Sequence, residues 1–482
     1  MLSIYEKIFP LKGNENEEFM LFNGLYGAFD KISSHEADIF YSGKFDELDP
    51  ERKKYFVKRG HITEDLEHEQ ENLRLISKLH SLTRGKTNIG IIIAPTYNCN
   101  LRCEYCFEKH RLKNGEEWLK RVMSPEIIDA IFEQIKKYKD KGYIIQDVSL
   151  YGGEPLLACN KELIREFFRR SEELNLKVGA VTNGCELDRF LEFNFSMLQI
   201  TVDGLRETHD RRRFFADGSG SYDKIIKNIA LALEKGIKIG LRINISHSNF
   251  NAVRELPKEF ERLGFLKYKH FSYYFTSVHE ENPVSDVAIA EELKNMGKSL
   301  RDIIKLEGAY STVAFRISDF LKANELPVLN PTHCGAENNM NVIGAEGLIY
   351  PCWSLLAKEE SAIGFVDEEG KRFLYDLNAS QWHNRTADKL KPCNTCPLIM
   401  ICGGGCAGYD SKYLKEGNCD EAEKIFDDIA PHISGKSELK SLSMREALEN
   451  LSPDERNTLL NTDDINKALG IYKKMKLKMT EK

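Results

Sequence analysis

The chain has 482 residues, 41% of them hydrophobic and 30% charged, with 75 acidic against 68 basic side chains and a formal net charge of −7. That length allows two or three domains, each with its own core, and the acidic balance gives no reason to expect general nucleic-acid binding. No apolar run approaches the ~20 residues of a membrane-spanning helix, and the opening Met1-Leu2-Ser3-Ile4-Tyr5-Glu6 lacks the character of a secretory signal, so a cytoplasmic protein with no membrane partner is expected. Twelve cysteines in a long chain without such a signal point to metal or redox chemistry rather than disulfides.

Residues 1–85 contain no metal-ligand spacing. The run Phe19-Met20-Leu21-Phe22-Asn23-Gly24-Leu25-Tyr26-Gly27-Ala28-Phe29 predicts two short strands about an Asn-Gly turn. Ser33 and Glu36 have the spacing of a capping box for a helix through Phe40. Asp49-Pro50 opens a second helix, and a third is expected from about Glu64 to Leu79. This order of elements resembles the winged-helix-like leader-recognition domains attached to enzymes that modify ribosomally made peptides. The resemblance implies a precursor peptide as partner, adding a strand to an exposed sheet edge. A small packing domain that shields the next domain is the alternative.

After the apolar run Ile91-Ile92-Ile93 comes Cys99-Asn100-Leu101-Arg102-Cys103-Glu104-Tyr105-Cys106. Three thiolates in one loop can converge on a soft metal centre, and four cysteines normally complete an iron-sulfur cubane. Here the loop supplies three, which leaves one iron open to a small molecule. The CxxxCxxC pattern, with an aromatic before the last cysteine and Phe107 after it, resembles the signature of the radical S-adenosylmethionine (SAM) enzymes. That resemblance implies a [4Fe-4S] cluster on Cys99, Cys103 and Cys106 whose open iron chelates SAM. Reduction by a carrier such as flavodoxin or ferredoxin would release a 5′-deoxyadenosyl radical. A zinc loop competes with this reading, although zinc favours CxxC pairs and closed four-coordination.

From 86 to 285, strand-like and helix-like segments alternate as βα units, and six repeats predict a partial (β/α)6 barrel of the α/β class with its chemistry at the carboxyl strand ends. The first strand is expected to end at Cys99. Others are expected at Tyr143 to Leu150, Lys177 to Val181, Met197 to Val202, Lys238 to Ile245 and Tyr268 to Phe275, with a helix opened by Ser124-Pro125. Gly152-Gly153-Glu154 follows a strand, where glycines allow close backbone approach and the carboxylate is an acceptor; it resembles the family motif that binds the SAM amino group. Thr182-Asn183-Gly184 and Thr201-Val202-Asp203-Gly204 resemble two further family motifs, which implies ribose and carboxylate contacts for Thr182, Asn183, Thr201 and Asp203. Family analogy also favours Arg213 as a site residue, with a solvated loop charge as the alternative. Arg242, inside a strand, is read either as a SAM carboxylate ligand or as half of an ion pair. His209 is read as a proton carrier or a solvated loop histidine.

A helical link is expected over 286–329. Beyond it stand Cys334, Cys352, Cys393, Cys396, Cys402, Cys406 and Cys419, spaced C…GxxxxC…CxxCxxxxxCxxxC…C. Over 330–425 this resembles the cysteine-rich SPASM domain of radical SAM enzymes that modify peptides and proteins. The resemblance implies one auxiliary [4Fe-4S] cluster on Cys334, Cys352 and Cys406, completed by a noncysteine ligand such as His333 or left open, and a second on Cys393, Cys396, Cys402 and Cys419. A structural zinc domain is the competing reading, but seven thiols exceed one four-coordinate site. Cys159 and Cys185 are left as buried free thiols. Residues 426–482 predict helices ending in a lysine-rich solvated face or disordered tail, with no chemistry.

The whole pattern implies an oxidoreductase that installs a crosslink, such as a thioether, in a ribosomally made peptide. An anaerobic sulfatase maturase, which forms formylglycine, is the alternative. In those enzymes an aspartate assigned to proton transfer follows the GxxxxC cysteine; here Trp353 follows Cys352, and an indole cannot accept a proton at physiological pH. A noncatalytic metal-binding scaffold is the reading from another class.

Overall fold

The computed structural model describes residues 1–11, 18–83, 88–106, 108, 119–246, 249, 255–277, 316, 330–408, 410–419, 422–432, 444–462 and 464–480. The chain begins with an antiparallel meander, β1 (Glu6–Pro10), β2 (Glu18–Asn23) and β3 (Ala28–Ser33). The β2–β3 connection spans Gly24 to Gly27 instead of closing in a two-residue Asn-Gly turn. Asn23 is the reason: its Oδ1 accepts the N–H groups of Leu25 and Tyr26, while its Nδ2 donates to the Gly60 carbonyl at 2.8 Å. Gly24 serves a close approach, since a Cβ there would lie 1.5 Å from the Pro397 carbonyl oxygen.

Three helices follow. The capping box of Ser33 and Glu36 is formed at the start of α1 (Ser34–Ser42), and Asp49 caps α2 (Pro50–Arg59) by accepting the N–H groups of Glu51 and Arg52. Helix α3 (Leu66–Thr83) then turns Leu75, Ile76, Leu79 and Leu82 inward.

Six parallel strands pair in chain order: β4 (Gly90–Ile93), β5 (Asp147–Leu150), β6 (Lys177–Thr182), β7 (Met197–Thr201), β8 (Ile239–Ile245) and β9 (Phe271–Ser277). The helix Pro125–Asp140 between β4 and β5 is capped by Ser124, whose hydroxyl accepts the Ile127 N–H, and it buries Ile127, Ile128, Ile131 and Ile135. This is the partial α/β barrel. Strand β4 stops at Ile93 rather than Cys99, because the chain beyond Pro95 turns to hydrogen-bond Gly153 and Glu154.

The cysteine-rich region continues the same sheet. Strand β10 (Met340–Ile343) lies parallel against the outer edge of β4, and β11 (Leu348–Tyr350), β12 (Gly364–Asp367) and β13 (Arg372–Tyr375) follow antiparallel to make ten strands. Pairing with β10 removes the exposed edge that β4 would otherwise present. It also sets the cysteines at opposite ends. Cys99 follows the carboxyl end of β4, whereas Cys334 precedes the start of β10 and Cys352 follows the end of its antiparallel neighbour β11.

Of the expected 286–329 link, only Arg316 is among the described residues. The C-terminal segment is helical, with Lys473 and Lys474 exposed and its apolar side chains packed against the rest of the chain. Helices Met444–Glu449, Pro453–Asn461 and Ile465–Thr480 pack on α3, with Ala447, Leu448, Leu459, Ala468, Ile471 and Met475 buried in one cluster with Leu390, Ile399 and Met400. Ala468, Ile471 and Met475 follow helical spacing, so they share one face and leave Lys473 and Lys474 outside it. No described helix is long and apolar enough to cross a membrane.

The meander is held to α2 by a wholly buried polar cluster. His61 Nδ1 lies 2.9 Å from Glu6 and its Nε2 2.7 Å from Asp30, which also takes the Arg59 guanidinium at 2.7 Å. Burial opposes a charged imidazole, but Glu6 and Asp30 outweigh it and push His61 up to about 9. The stabilisation is fully present below the unfolded value of 6.5 and is lost as pH rises through about 9. Denaturant unfolding of the wild type should therefore weaken by about 3 kcal/mol from neutral to strongly alkaline pH. In His61→Gln the overall stability should be lower and this alkaline loss absent; an unchanged alkaline slope would show that the imidazolium does not matter.

Candidate functional site

The site begins with two glycines. Gly152 has φ +110°, and a Cβ there would lie 2.6 Å from the Thr96 carbonyl oxygen; one on Gly153 would lie 2.3 Å from the Asn98 oxygen and 2.4 Å from that of Tyr97. Only side-chain-free residues let this backbone lie against the segment leading into Cys99. The contact is hydrogen-bonded, with Gly153 N–H donating to Thr96 at 3.2 Å and Glu154 N–H to Asn98 at 2.7 Å. On its other side the loop is held by Arg102 N–H donating to Phe214 at 2.8 Å and Glu104 N–H to Arg212 at 3.2 Å.

Glu154 is buried between the ends of β5 and β6. Its carboxylate accepts the Thr182 hydroxyl at 2.6 Å, the Asn183 N–H at 2.6 Å and the Leu156 N–H at 2.9 Å, yet burial pushes its carboxyl up to about 7. Asn183 also reaches the cysteine loop, its Nδ2 donating to Asn100 Oδ1 at 2.7 Å and lying 3.9 Å from Cys99 Sγ. Burial, then Glu154 and Cys103, push the Cys99 thiol well up.

Across the strand ends a second group forms around Tyr105. Its hydroxyl donates to Asp203 and accepts from Arg213 at 2.6 Å and Asn244 at 3.0 Å, and the Arg212 guanidinium lies 4.8 Å from its ring centre. Asp203 is fixed in turn by the Asn244 N–H at 2.9 Å, and Asn249 donates to its carbonyl at 2.8 Å. Thr201, Arg242 and Tyr274 occupy one row across β7, β8 and β9. Arg213 is 8% exposed, and neither its Nε nor that of Arg242 has a hydrogen-bond partner among the described residues. Buried guanidinium donors require an anion, and the amino-acid carboxylate of SAM fits that demand. Glu154 fits the amino group.

The remaining cysteines separate into two sets of electrostatic neighbours. Burial, Glu337, Cys352 and Cys406 raise the Cys334 thiol, and burial and Cys352 raise that of Cys406. Burial, Cys419, Cys402 and Cys396 push Cys393 up to about 12, and burial with Cys396 and Cys419 pushes Cys402 up to about 11. Such thiols ionise only when a metal centre takes the thiolate, so both sets fit soft-metal ligation. Among the described residues, no three His, Cys, Asp or Glu side chains converge at the spacing one bare metal ion requires.

Several expectations change. Phe107 lies outside the described residues. Cys159 is exposed, not buried, on the short 3-10 turn Ala158–Asn160 that leads into the helix Lys161–Glu173; Cys185 is buried. His209 is neither solvated nor free: Asp203 N–H donates to its Nδ1 at 3.3 Å and its Nε2 lies 3.0 Å from the Ser221 hydroxyl, while burial and two arginines hold its pKa well down. Motif reading missed Tyr105, Arg212, Asn244 and Asn249 as parts of this network. Tyr105 stood inside the cysteine motif, and Asn244 lies two residues beyond Arg242 on the same strand face.

Residues 93–258 match the Radical SAM superfamily model. A cysteine-type anaerobic sulfatase-maturating enzyme of Clostridium novyi is 23% identical over 69% of this chain and 91% of its own length. A serine-type anaerobic sulfatase-maturating enzyme of Bacteroides thetaiotaomicron is 28% identical over 70% of this chain and 87% of its own. Among solved structures, native anSMEcpe with bound AdoMet superposes with a TM-score of 0.54 at 16% identity, covering 72% of this chain and 98% of that one, a likeness of fold.

Substituting Gly153→Ala should push the Tyr97–Asn98 backbone away and displace Cys99. After anaerobic reconstitution, SAM affinity by calorimetry should fall on the order of tenfold or more, with far-UV circular dichroism unchanged. Wild-type affinity would show that the close approach does not position the site.

Proposed function

Because the chain carries a radical SAM domain, we propose that it is a maturase that abstracts hydrogen from a ribosomally synthesised peptide to install a crosslink such as a thioether. The observation that carries this reading is the placement of cysteines at both ends of the β4–β10 pairing. A peptide inside the barrel would meet radical chemistry at one end and electron acceptors at the other. When bound, the [4Fe-4S] cluster on Cys99, Cys103 and Cys106 and its SAM supply the 5′-deoxyadenosyl radical, with an electron from a flavodoxin- or ferredoxin-class reductant.

The chain's own residues orient that chemistry. Glu154 accepts the SAM amino group, and Arg213 and Arg242 take its carboxylate. Thr182, Asn183, Thr201 and Asp203 contribute ribose and carboxylate contacts, with Asp203 held in place by Tyr105 and Asn244. Cys334, Cys352 and Cys406, and separately Cys393, Cys396, Cys402 and Cys419, would hold auxiliary clusters, which would supply acceptors for the electron left on the substrate.

The N-terminal domain binds the precursor's leader as an added strand. The outer edge of β3 suits this. Strand β3 is the terminal strand of the β1-β2-β3 sheet, where Arg52 donates to the Lys31 carbonyl and the Ser33 N–H to Glu36. The other side of the sheet is flanked by the helix Ala422–Ile429, where Lys7 pairs with Glu423 at 2.8 Å and Asp427 at 3.1 Å.

The sulfatase-maturating relatives favour a second reading, in which the peptide is a nascent sulfatase. Trp353 argues against it: it is 42% exposed beside Cys352 and carries no group able to accept a proton. The test is anaerobic reconstitution with SAM and dithionite, comparing wild type with the triple Cys99, Cys103, Cys106→Ala variant. Wild type alone should form 5′-deoxyadenosine, and a cysteine-containing precursor encoded beside the gene should lose two hydrogens. Formylglycine on a sulfatase peptide with no change in the precursor would establish the second reading.

A further inference from the structure

Ser221 stands at the capping position of the helix Tyr222–Glu234, yet its hydroxyl makes no capping hydrogen bond. Asp210 does that work instead, its carboxylate accepting the Ser221 N–H at 2.7 Å and the Tyr222 N–H at 2.8 Å. Gly220 admits the carboxylate, since a Cβ there would lie 2.3 Å from Asp210 Oδ2. The freed hydroxyl is turned inward. It donates to the Arg213 carbonyl at 2.6 Å, and its oxygen lies 3.0 Å from His209 Nε2. Ser221 and His209 are both 0% exposed.

These contacts fix the imidazole in one state. The hydroxyl's single hydrogen goes to Arg213, so Nε2 carries a proton and donates to Ser221; the Asp203 N–H can only donate, so Nδ1 is bare. His209 is therefore neutral with both nitrogens engaged, which leaves it no proton to carry. The three bonds run in one direction, from the Asp203 main chain through His209 and Ser221 to the Arg213 main chain. Side chains close the circuit, since the Tyr105 hydroxyl donates to Asp203 and accepts from Arg213 at 2.6 Å. Tyr105 itself stands between Cys103 and Cys106. Arg213 is thus held at its carbonyl by one arm of the ring and at its guanidinium by the other, while its Nε has no hydrogen-bond partner among the described residues.

We propose that His209 and Ser221 are positioning residues for SAM: they anchor the Arg213 main chain so that its guanidinium meets the SAM carboxylate in register with the cysteine loop. An arginine whose stem is already fixed loses less freedom when it takes up an anion, and support of this kind decides how precisely a site is held. The helix Arg206–Arg212 ends here, with the Arg213 N–H donating to the His209 carbonyl at 2.8 Å. Removing the Ser221 hydroxyl therefore frees the carbonyl side of Arg213 and leaves that bond and the Asp210 cap in place. The inference rests on reading Arg213 as a ligand of the SAM carboxylate.

The test is calorimetry on anaerobically reconstituted full-length protein with two ligands, SAM and 5′-methylthioadenosine, which keeps the nucleoside but has neither carboxylate nor amino group. Ser221→Ala should weaken SAM binding about tenfold and leave 5′-methylthioadenosine binding unchanged. His209→Asn, too short to reach Ser221, should match it, whereas His209→Gln, whose amide can donate from the place of Nε2, should stay near wild type. SAM affinity kept by Ser221→Ala and His209→Asn but lost in Arg213→Met would overturn the proposal. Equal weakening of both ligands, the mark of a loosened fold, would overturn it too. Unchanged SAM binding in Arg213→Met would instead overturn the underlying reading of Arg213. Should Ser221→Ala fail to fold, the His209 pair decides, and equal SAM affinity in His209→Asn and His209→Gln would contradict the proposal.

Discussion

The contact on which the site depends is the one between Gly152-Gly153-Glu154 and the backbone of Thr96 to Asn98. It is made of main-chain hydrogen bonds at a separation that no side chain would permit. Through it, the end of β5 sets the path of the chain into Cys99, and the same turn buries Glu154 against Thr182 and Asn183. Three consecutive strand ends are thereby locked to one loop. The rigid sheet supplies precision that a free loop of cysteines would lack.

The second constraint is the pairing of β10 with β4. It makes the cysteine-rich region a continuation of the barrel sheet rather than an appended unit, and it sets Cys334 and Cys352 at the end of the sheet opposite to Cys99. The N-terminal meander is tied to the same region. The Tyr5 hydroxyl donates to the Asn394 carbonyl at 2.7 Å, Gln70 donates to it at 3.1 Å, and Gly24 abuts Pro397. These contacts fall on the segment carrying Cys393 and Cys396, so the N-terminal domain proposed to receive a leader abuts two of the cysteines proposed to hold an auxiliary cluster.

What could be read from the sequence was what is encoded locally. The Ser33–Glu36 capping box, the Asp49-Pro50 and Ser124-Pro125 helix starts, and the strands from Lys177 to Ile245 depend on residues a few positions apart, and they stand where the sequence placed them to within a residue or two. The cysteine spacings and Gly152-Gly153-Glu154 were visible for the same reason. What escaped depends on distant partners. Met340 to Ile343 find β4 some 250 residues earlier in the chain, the C-terminal helices find α3, and Asn23 trades a tight turn for a bond to Gly60. Arg385 stands in no motif, and its bonds to Glu337, Gly404 and Tyr413 form only when distant segments are brought together.

The central claim is that hydrogen is taken from a peptide held between the two ends of the sheet. The most direct measurement is transfer of deuterium from a precursor peptide labelled at its candidate crosslinking residues into 5′-deoxyadenosine during anaerobic turnover. Deuterium in the nucleoside, accumulating with the crosslinked peptide, is the expected result. Unlabelled 5′-deoxyadenosine formed equally well with and without peptide, the peptide remaining unmodified, would contradict the account.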